Sequence, residues 1–166
     1  MWIKIIGGAV LLFSAWAMGK RLSDSLRMRY ENLRAFGTAL VMLEGEMSYA
    51  GNSIDRAFKN IAKAIPMQGF FVDVARKVQT KGARSAWRDE LAEKQLYLTA
   101  DDIRILSALS VELGISNTEN QIKSIRYCRE LLKNAESEAE ERYKTLSGLY
   151  RKLCFCAASI LLIIFV

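Results

Sequence analysis

Glu44 and Glu46 are the first side chains whose types invite chemistry, since two carboxylates within reach of one substrate can divide acid and base work. Their spacing prevents it. Two residues apart on a helix, they point about 200° away from each other. Glu44 instead lies beside an apolar stripe from Leu40 to Met47, so it needs a partner, either a structural hydrogen bond or a group across an interface. Asp101 and Asp102 directly follow Thr99 and Ala100, where the positive end of a helix dipole favours anions. Glu136, Glu138, Glu140 and Glu141 read as the solvated face of a helix. The densest charge is basic: Arg76, Lys77, Lys81, Arg84 and Arg88 gather around one short turn. They form either a solvated face or a docking site for an acidic partner. No RNA or DNA motif accompanies them, so nucleic acid is not expected.

Several chemistries are closed off. The chain has no His, which removes Ser-His-Asp, Cys-His and His-metal sites. Its three cysteines, Cys128, Cys154 and Cys156, have no zinc spacing and read as small hydrophobic residues in a reducing compartment. Gly7-Gly8 lies in an apolar run and is no phosphate loop. No catalytic, cofactor-binding or metal site is therefore expected, and no enzyme.

The elements carrying these residues read as helix throughout. With one Pro in 166 residues, a disordered chain and a turn-rich β-sandwich are both disfavoured. From Lys20 to Ala50, the residues Tyr30, Leu33, Phe36, Leu40, Leu43 and Met47 recur at three- and four-residue steps, one helical face. After Gly51-Asn52, Ser53 can cap a helix carrying Ile54, Ala57, Phe58, Ile61 and Ala62 that stops at Ile65-Pro66. Phe70, Phe71, Val74 and Val78 mark a third helix with Gly82 after it, and Ser85–Gln95 a fourth. Thr99 caps a fifth, with Gly114 just past its end. Ser116 with Glu119, or Thr118 with Gln121, forms a capping box for a last helix that could continue to Val166. The expected fold is all-α: about six helices, two of them long, antiparallel and continuing into N- and C-terminal membrane segments.

The ends support that placement. Trp2–Gly19 is apolar except for Lys4, and the 14 residues Leu153–Val166 carry no charge. About 20 apolar residues cross a bilayer core, so the second run needs Leu149 and Tyr150, with Arg151 and Lys152 snorkelling. Ala15-Trp16-Ala17 resembles a signal-peptide cleavage site. However, Lys20, Arg21, Arg27 and Arg29 follow the first run, and Arg142, Lys144, Arg151 and Lys152 precede the second. Basic flanks stay inside. The expected organisation is residues 1–19 spanning the membrane, 20–152 as a cytoplasmic helical domain and 153–166 spanning again. Ala15 and Gly19, and Cys154 and Ala158, are small residues four apart that suit close packing of the two membrane helices.

The order of elements resembles the stage III sporulation protein AB family. The likeness lies in Leu43-Glu44-Gly45-Glu46-Met47-Ser48-Tyr49, in Ile54…Ala57…Ile61-Ala62 and in Ser85-Ala86-Trp87. It continues through Asp102…Leu106…Leu109 and Leu113-Gly114 followed by Gln121. Two positions depart from the pattern: Ser53-Ile54 replaces a Pro-Leu pair, and Cys154 and Ala158 replace glycines. The resemblance implies structural roles for Leu43, Glu44, Glu46, Tyr49, Trp87, Leu113, Gly114 and Gln121. It also implies a fold similar to the cytoplasmic domain of type II secretion and type IV pilus inner-membrane platform proteins. The implied function is a non-enzymatic platform in the mother cell–forespore channel complex needed for endospore formation. Its partners would be a secretion-type ATPase (stage III sporulation protein AA-like) and other channel proteins, with a homo-oligomer allowed. It would sit in the outer forespore membrane on the mother-cell side. Two other readings stand beside it: a true secretion or pilus platform subunit, typically longer with two such domains, and a small membrane-bound enzyme.

Overall fold

The apolar stripe of the first long helix is an inner face. In the computed structural model α1 runs from Trp2 to Ser48, and Leu33, Phe36, Leu40, Leu43 and Met47 are all buried. Five α-helices follow: α2 (Ile54–Ala64), α3 (Phe70–Lys81), α4 (Ala83–Glu93), α5 (Ala100–Leu109) and α6 (Thr118–Phe165), with a 3-10 turn at Met67–Gly69. The structure describes residues 2–115 and 117–165, without the side chains of 2–9, 11, 12, 68, 151, 155, 158 and 161–165. The expectations placed on Lys4, Ser116, Arg151, Ala158 and Val166 therefore lie outside the described residues. Among the described residues there is no strand, and the chain is all-α.

Local chemistry sets the helix ends. Ile65 is extended ahead of Pro66 and closes α2, as the proline ring disfavours a helical residue before it. Gly82 joins α3 to α4 at φ 80°, a conformation L side chains rarely take. Thr99 starts α5 with a reciprocal capping box. Its hydroxyl accepts from the Asp102 N–H and the Asp102 carboxylate accepts from the Thr99 N–H. Asp102 is thus more than a dipole charge, and it is buried. Three expectations are corrected. Ser53 precedes α2 but makes no side-chain cap bond. α5 stops at Leu109, well short of Gly114. The last helix is capped by Asn117, whose Oδ1 accepts from the Asn120 N–H, so Thr118 and Gln121 form no capping box. Asn is as good an N-cap as Ser, and it occupies the position one residue before the helix.

The chain divides into two compact units. Residues 31–137 hold α2 to α5 with parts of both long helices. Their centre is aromatic. The Trp87 ring lies 5.8 Å from Phe36, 5.9 Å from Phe58 and 5.4 Å from Phe70. α3 packs on both α2 and α4, and α4 on α5. Asn32, buried on α1, donates to the Leu96 carbonyl beyond α4, so the loop after α4 is tied to the long helix.

Residues 1–30 and 138–166 form the other unit. Tyr30 stacks on Tyr143 with ring centroids 6.4 Å apart. Glu138 pairs with Arg142 and Glu140 with Lys144, each one turn apart on α6. Val10, Phe13, Trp16, Met18, Leu153 and Ile160 are exposed. Gly19 is buried, and Ala15 and Cys154 are half-buried. Among the described residues no helix is long and apolar enough to cross a membrane; much of both apolar runs lies outside that set. The expected boundaries at 19/20 and 152/153 fall inside α1 and α6, which pass through them unbroken.

Candidate functional site

The five-residue basic cluster sits on α3 and α4, at either side of Gly82. Three of its members are spoken for. Arg76 pairs with Asp73 at 2.6 Å, and Lys81 reaches Asp89 at 2.9 Å. Lys77 lies 2.6 Å from Glu90 and 2.7 Å from Glu93. Lys77 and Lys81 lock α3 against α4, Arg76 pairs within α3, and Lys94 adds a bond from the end of α4 to Asp73. Hydrogen bonding from Lys94 holds the Asp73 carboxyl below its ordinary range, and Lys81 does the same for Asp89. A depressed carboxylate stabilises the fold fully above its unfolded pKa, and that contribution fades as pH falls through the folded value. Arg84 and Arg88 differ from the other three. They are exposed, one turn apart on α4, and among the described residues neither forms an ion pair. They are what remains of the cluster for an acidic partner to meet.

Sequence reasoning missed the acid half of this lock. Glu90 is 2% exposed, between the buried Trp87 and Leu91, and its second carboxylate oxygen has no hydrogen-bond partner. The signal was present in outline. Glu90 falls three residues after Trp87, on the apolar face of α4, where a carboxylate must find a cation.

Glu44 finds the partners its position demanded. Arg126 Nε lies 2.6 Å from one oxygen and Arg129 Nη1 2.7 Å from the other. The carboxylate therefore clamps α1 to α6. Glu46 points elsewhere, as the spacing required, and accepts from Asn52 at 2.6 Å and Asn60 at 3.0 Å. That pins the turn between α1 and α2. Tyr49 stands at this turn 92% exposed, with its backbone N–H donating to Gly45, so its ring takes no part in the core. Leu43, Trp87 and Leu113 are buried. Gly114, at φ 75°, donates its N–H to the Gln121 side chain at 3.0 Å and fixes the turn into α6. A Cβ there would meet that of Ala83 at 3.3 Å.

Among the described residues no group of Cys, Asp and Glu could hold a metal ion. Cys128 is buried, near the Ile105 carbonyl at 3.7 Å, and burial pushes its thiol up to about 12. The thiolate is the reactive form. In a Cys154→Ala, Cys156→Ala variant, iodoacetamide at mildly alkaline pH should therefore leave Cys128 unmodified until denaturant is added. Mass spectrometry showing ready labelling without denaturant would mean that α5 and α6 separate in the native state.

Residues 4–166 match the family described as Stage III sporulation protein AB. The Stage III sporulation protein AB of Bacillus subtilis (strain 168) is 23% identical over 168 residues, covering 98% of both chains. A solved structure of a Stage III sporulation protein AB is similar with a TM-score of 0.63 and 25% identity. It covers 70% of this chain, and the match takes in 96% of the solved one.

Proposed function

Since this chain belongs to the stage III sporulation protein AB family, a family of sporulation proteins, we propose that it is a non-enzymatic membrane platform. It couples a cytoplasmic secretion-type ATPase, of the stage III sporulation protein AA kind, to the mother cell–forespore channel during endospore formation. The observation that carries this reading is the family match over residues 4–166, almost the whole chain. Residues 20–152 face the mother-cell cytoplasm in this proposal, and 1–19 and 153–166 anchor the protein in the outer forespore membrane. The exposed apolar side chains of α1 and α6, Phe13, Trp16, Met18, Leu153 and Ile160 among them, favour this placement, because apolar surface left in water is costly and lipid removes it.

The ATPase meets the chain at α4. Arg84→Glu with Arg88→Glu in the full chain, purified in detergent, should weaken binding of the ATPase by roughly tenfold or more, because reversing charges opposite a complementary surface adds repulsion. Helicity should not change, since both side chains are exposed. Surface plasmon resonance at low salt reads the affinity. Equal binding by both forms would leave these arginines as a solvated face and remove α4 from the interface.

A further inference from the structure

Within the unit of residues 31–137, α1 and α6 leave a groove of about 560 Å³ between them. Two small residues, Gly37 and Thr38, line it, and a Cβ at Gly37 would meet nothing nearer than Glu136 Oε2 at 3.7 Å. At its rim stands Val41, 52% exposed. Five charged side chains complete the walls, Arg34 from α1 and Arg129, Glu130, Lys133 and Glu136 from α6, of which Arg129 is held by Glu44.

Many acids and bases of the unit find each other: Lys77 with Glu90, Lys81 with Asp89, Glu119 with Lys123, Arg126 and Arg129 with Glu44. Among the described residues Arg84 and Arg88 stay unpaired but are both cations, whereas the groove brings unpaired charges of both signs together. In the groove, among the described residues, Arg34, Lys133 and Glu136 form no ion pair. Glu130 has only the edge of Arg129 at 3.9 Å, a guanidinium already engaged by Glu44. Beside Arg129, which Glu44 holds, two cations and two anions thus line one recess without satisfying one another. An acidic ligand would meet two carboxylates there, and a basic ligand two cations. The surface whose charge matches this patch is one of the same composition.

We infer that the groove of Arg34, Thr38, Val41, Glu130, Lys133 and Glu136 is a self-association surface whose occupant is a second copy of this chain. A two-fold contact presents the same patch from both sides. Arg34 and Lys133 of one copy then oppose Glu130 and Glu136 of the other. The exposed Val41 of each copy packs over the small Gly37 and Thr38 of the other, burying an apolar side chain. The charge pattern is self-complementary. The surface is separate from Arg84 and Arg88, so it does not depend on ATPase docking.

Complementary charge swaps test the contact. The full chain is prepared in detergent with two different tags, and capture of one tag by the other is measured at low salt. Unaltered copies should co-purify. Arg34→Glu with Lys133→Glu leaves only Arg129, held by Glu44, as a cation in a patch otherwise acidic, and Glu130→Lys with Glu136→Lys makes it wholly basic. Each variant alone should lose self-capture by roughly tenfold or more, since like charges then face each other. Mixing the two variants should restore capture, an outcome that general destabilisation cannot produce. Thr38→Arg, at an exposed helical position, should block the groove by bulk and also abolish capture. Monomeric unaltered protein, undiminished capture by either double variant, or failure of the mixture to recover would each overturn the assignment.

Discussion

Trp87→Ala is expected to remove about 3–5 kcal/mol of folding stability, the usual cost of deleting a fully buried large aromatic. Trp87 is 0% exposed, and four rings surround it: Phe36, Phe58, Phe70 and Phe71. Those rings come from α1, α2 and α3, so a cavity here loosens three helices against α4 at once. The indole also has a polar duty. Its Nε1–H donates to the Leu106 carbonyl at 2.8 Å. Leu106 lies in the last turn of α5, where carbonyls lack an intrahelical donor, and Trp87 supplies one across the core. Trp87→Phe keeps most of the packing but leaves that carbonyl unpaired in a buried site, so it should cost less than alanine and still about 1–3 kcal/mol. Domains of ordinary stability hold about 5–15 kcal/mol, so the alanine variant gives up a large share. Urea titration of the full chain in mild detergent, followed by circular dichroism, reads both losses. An alanine variant within about 0.5 kcal/mol of the parent, as for a surface change, would show that the aromatic cluster is not the core.

Lys77→Met should be the most damaging surface-adjacent substitution. Lys77 is the cation facing the buried Glu90, at 2.6 Å. Without it a carboxylate that is 2% exposed keeps its desolvation cost and loses its compensation. A lone buried charge typically costs about 3–5 kcal/mol. Glu93 binds the same ammonium at 2.7 Å but is 62% exposed. Glu93→Ala should therefore fall within the range of about 0–1 kcal/mol usual for surface pairs. The decisive arm is the double variant, Lys77→Met with Glu90→Met. Replacing both ions by apolar groups of similar size is often neutral or stabilising, so the double variant should recover most of what Lys77→Met loses. Urea midpoints of the parent, Lys77→Met, Glu90→Met and the double variant give the Lys77–Glu90 coupling directly. If Lys77→Met and Glu93→Ala lose equally little, the carboxylate of Glu90 is reached by water and the α3–α4 lock is a surface feature.

Much of the architecture was legible because helical periodicity is a local property. The stripe Leu33, Phe36, Leu40, Leu43, Met47 and the clusters around Phe58, Phe71 and Trp87 predicted which faces turn inward, and those faces are buried. Pro66, Gly82 and Thr99 marked ends because each acts on its own backbone neighbours. The misplacements were also local. α5 ends at Leu109 although no breaker stands there, since Trp87 and the following turn take up its last carbonyls. Asn117 outcompeted its neighbour Thr118 as a cap.

The amino-acid sequence by itself determined that the chain is helical, which residues form its inner faces, that no histidine chemistry is available and, through the order of its elements, which family it resembles. These follow from composition and from periodicities a few residues long. The tertiary structure decided which charges are available to a partner. Lys77 and Lys81 look like Arg84 and Arg88 on paper, and their difference arises only when α3 and α4 bring Glu90 and Asp89 within 3 Å of them, whereas the Arg76–Asp73 pair is local to α3. Glu44 likewise needed a partner by its position, but Arg126 and Arg129 lie more than eighty residues away. The groove at Gly37 exists only because two helices distant in sequence run side by side. Ion pairing and concavity depend on distances between elements, and the sequence spacing of their residues carries no record of those distances.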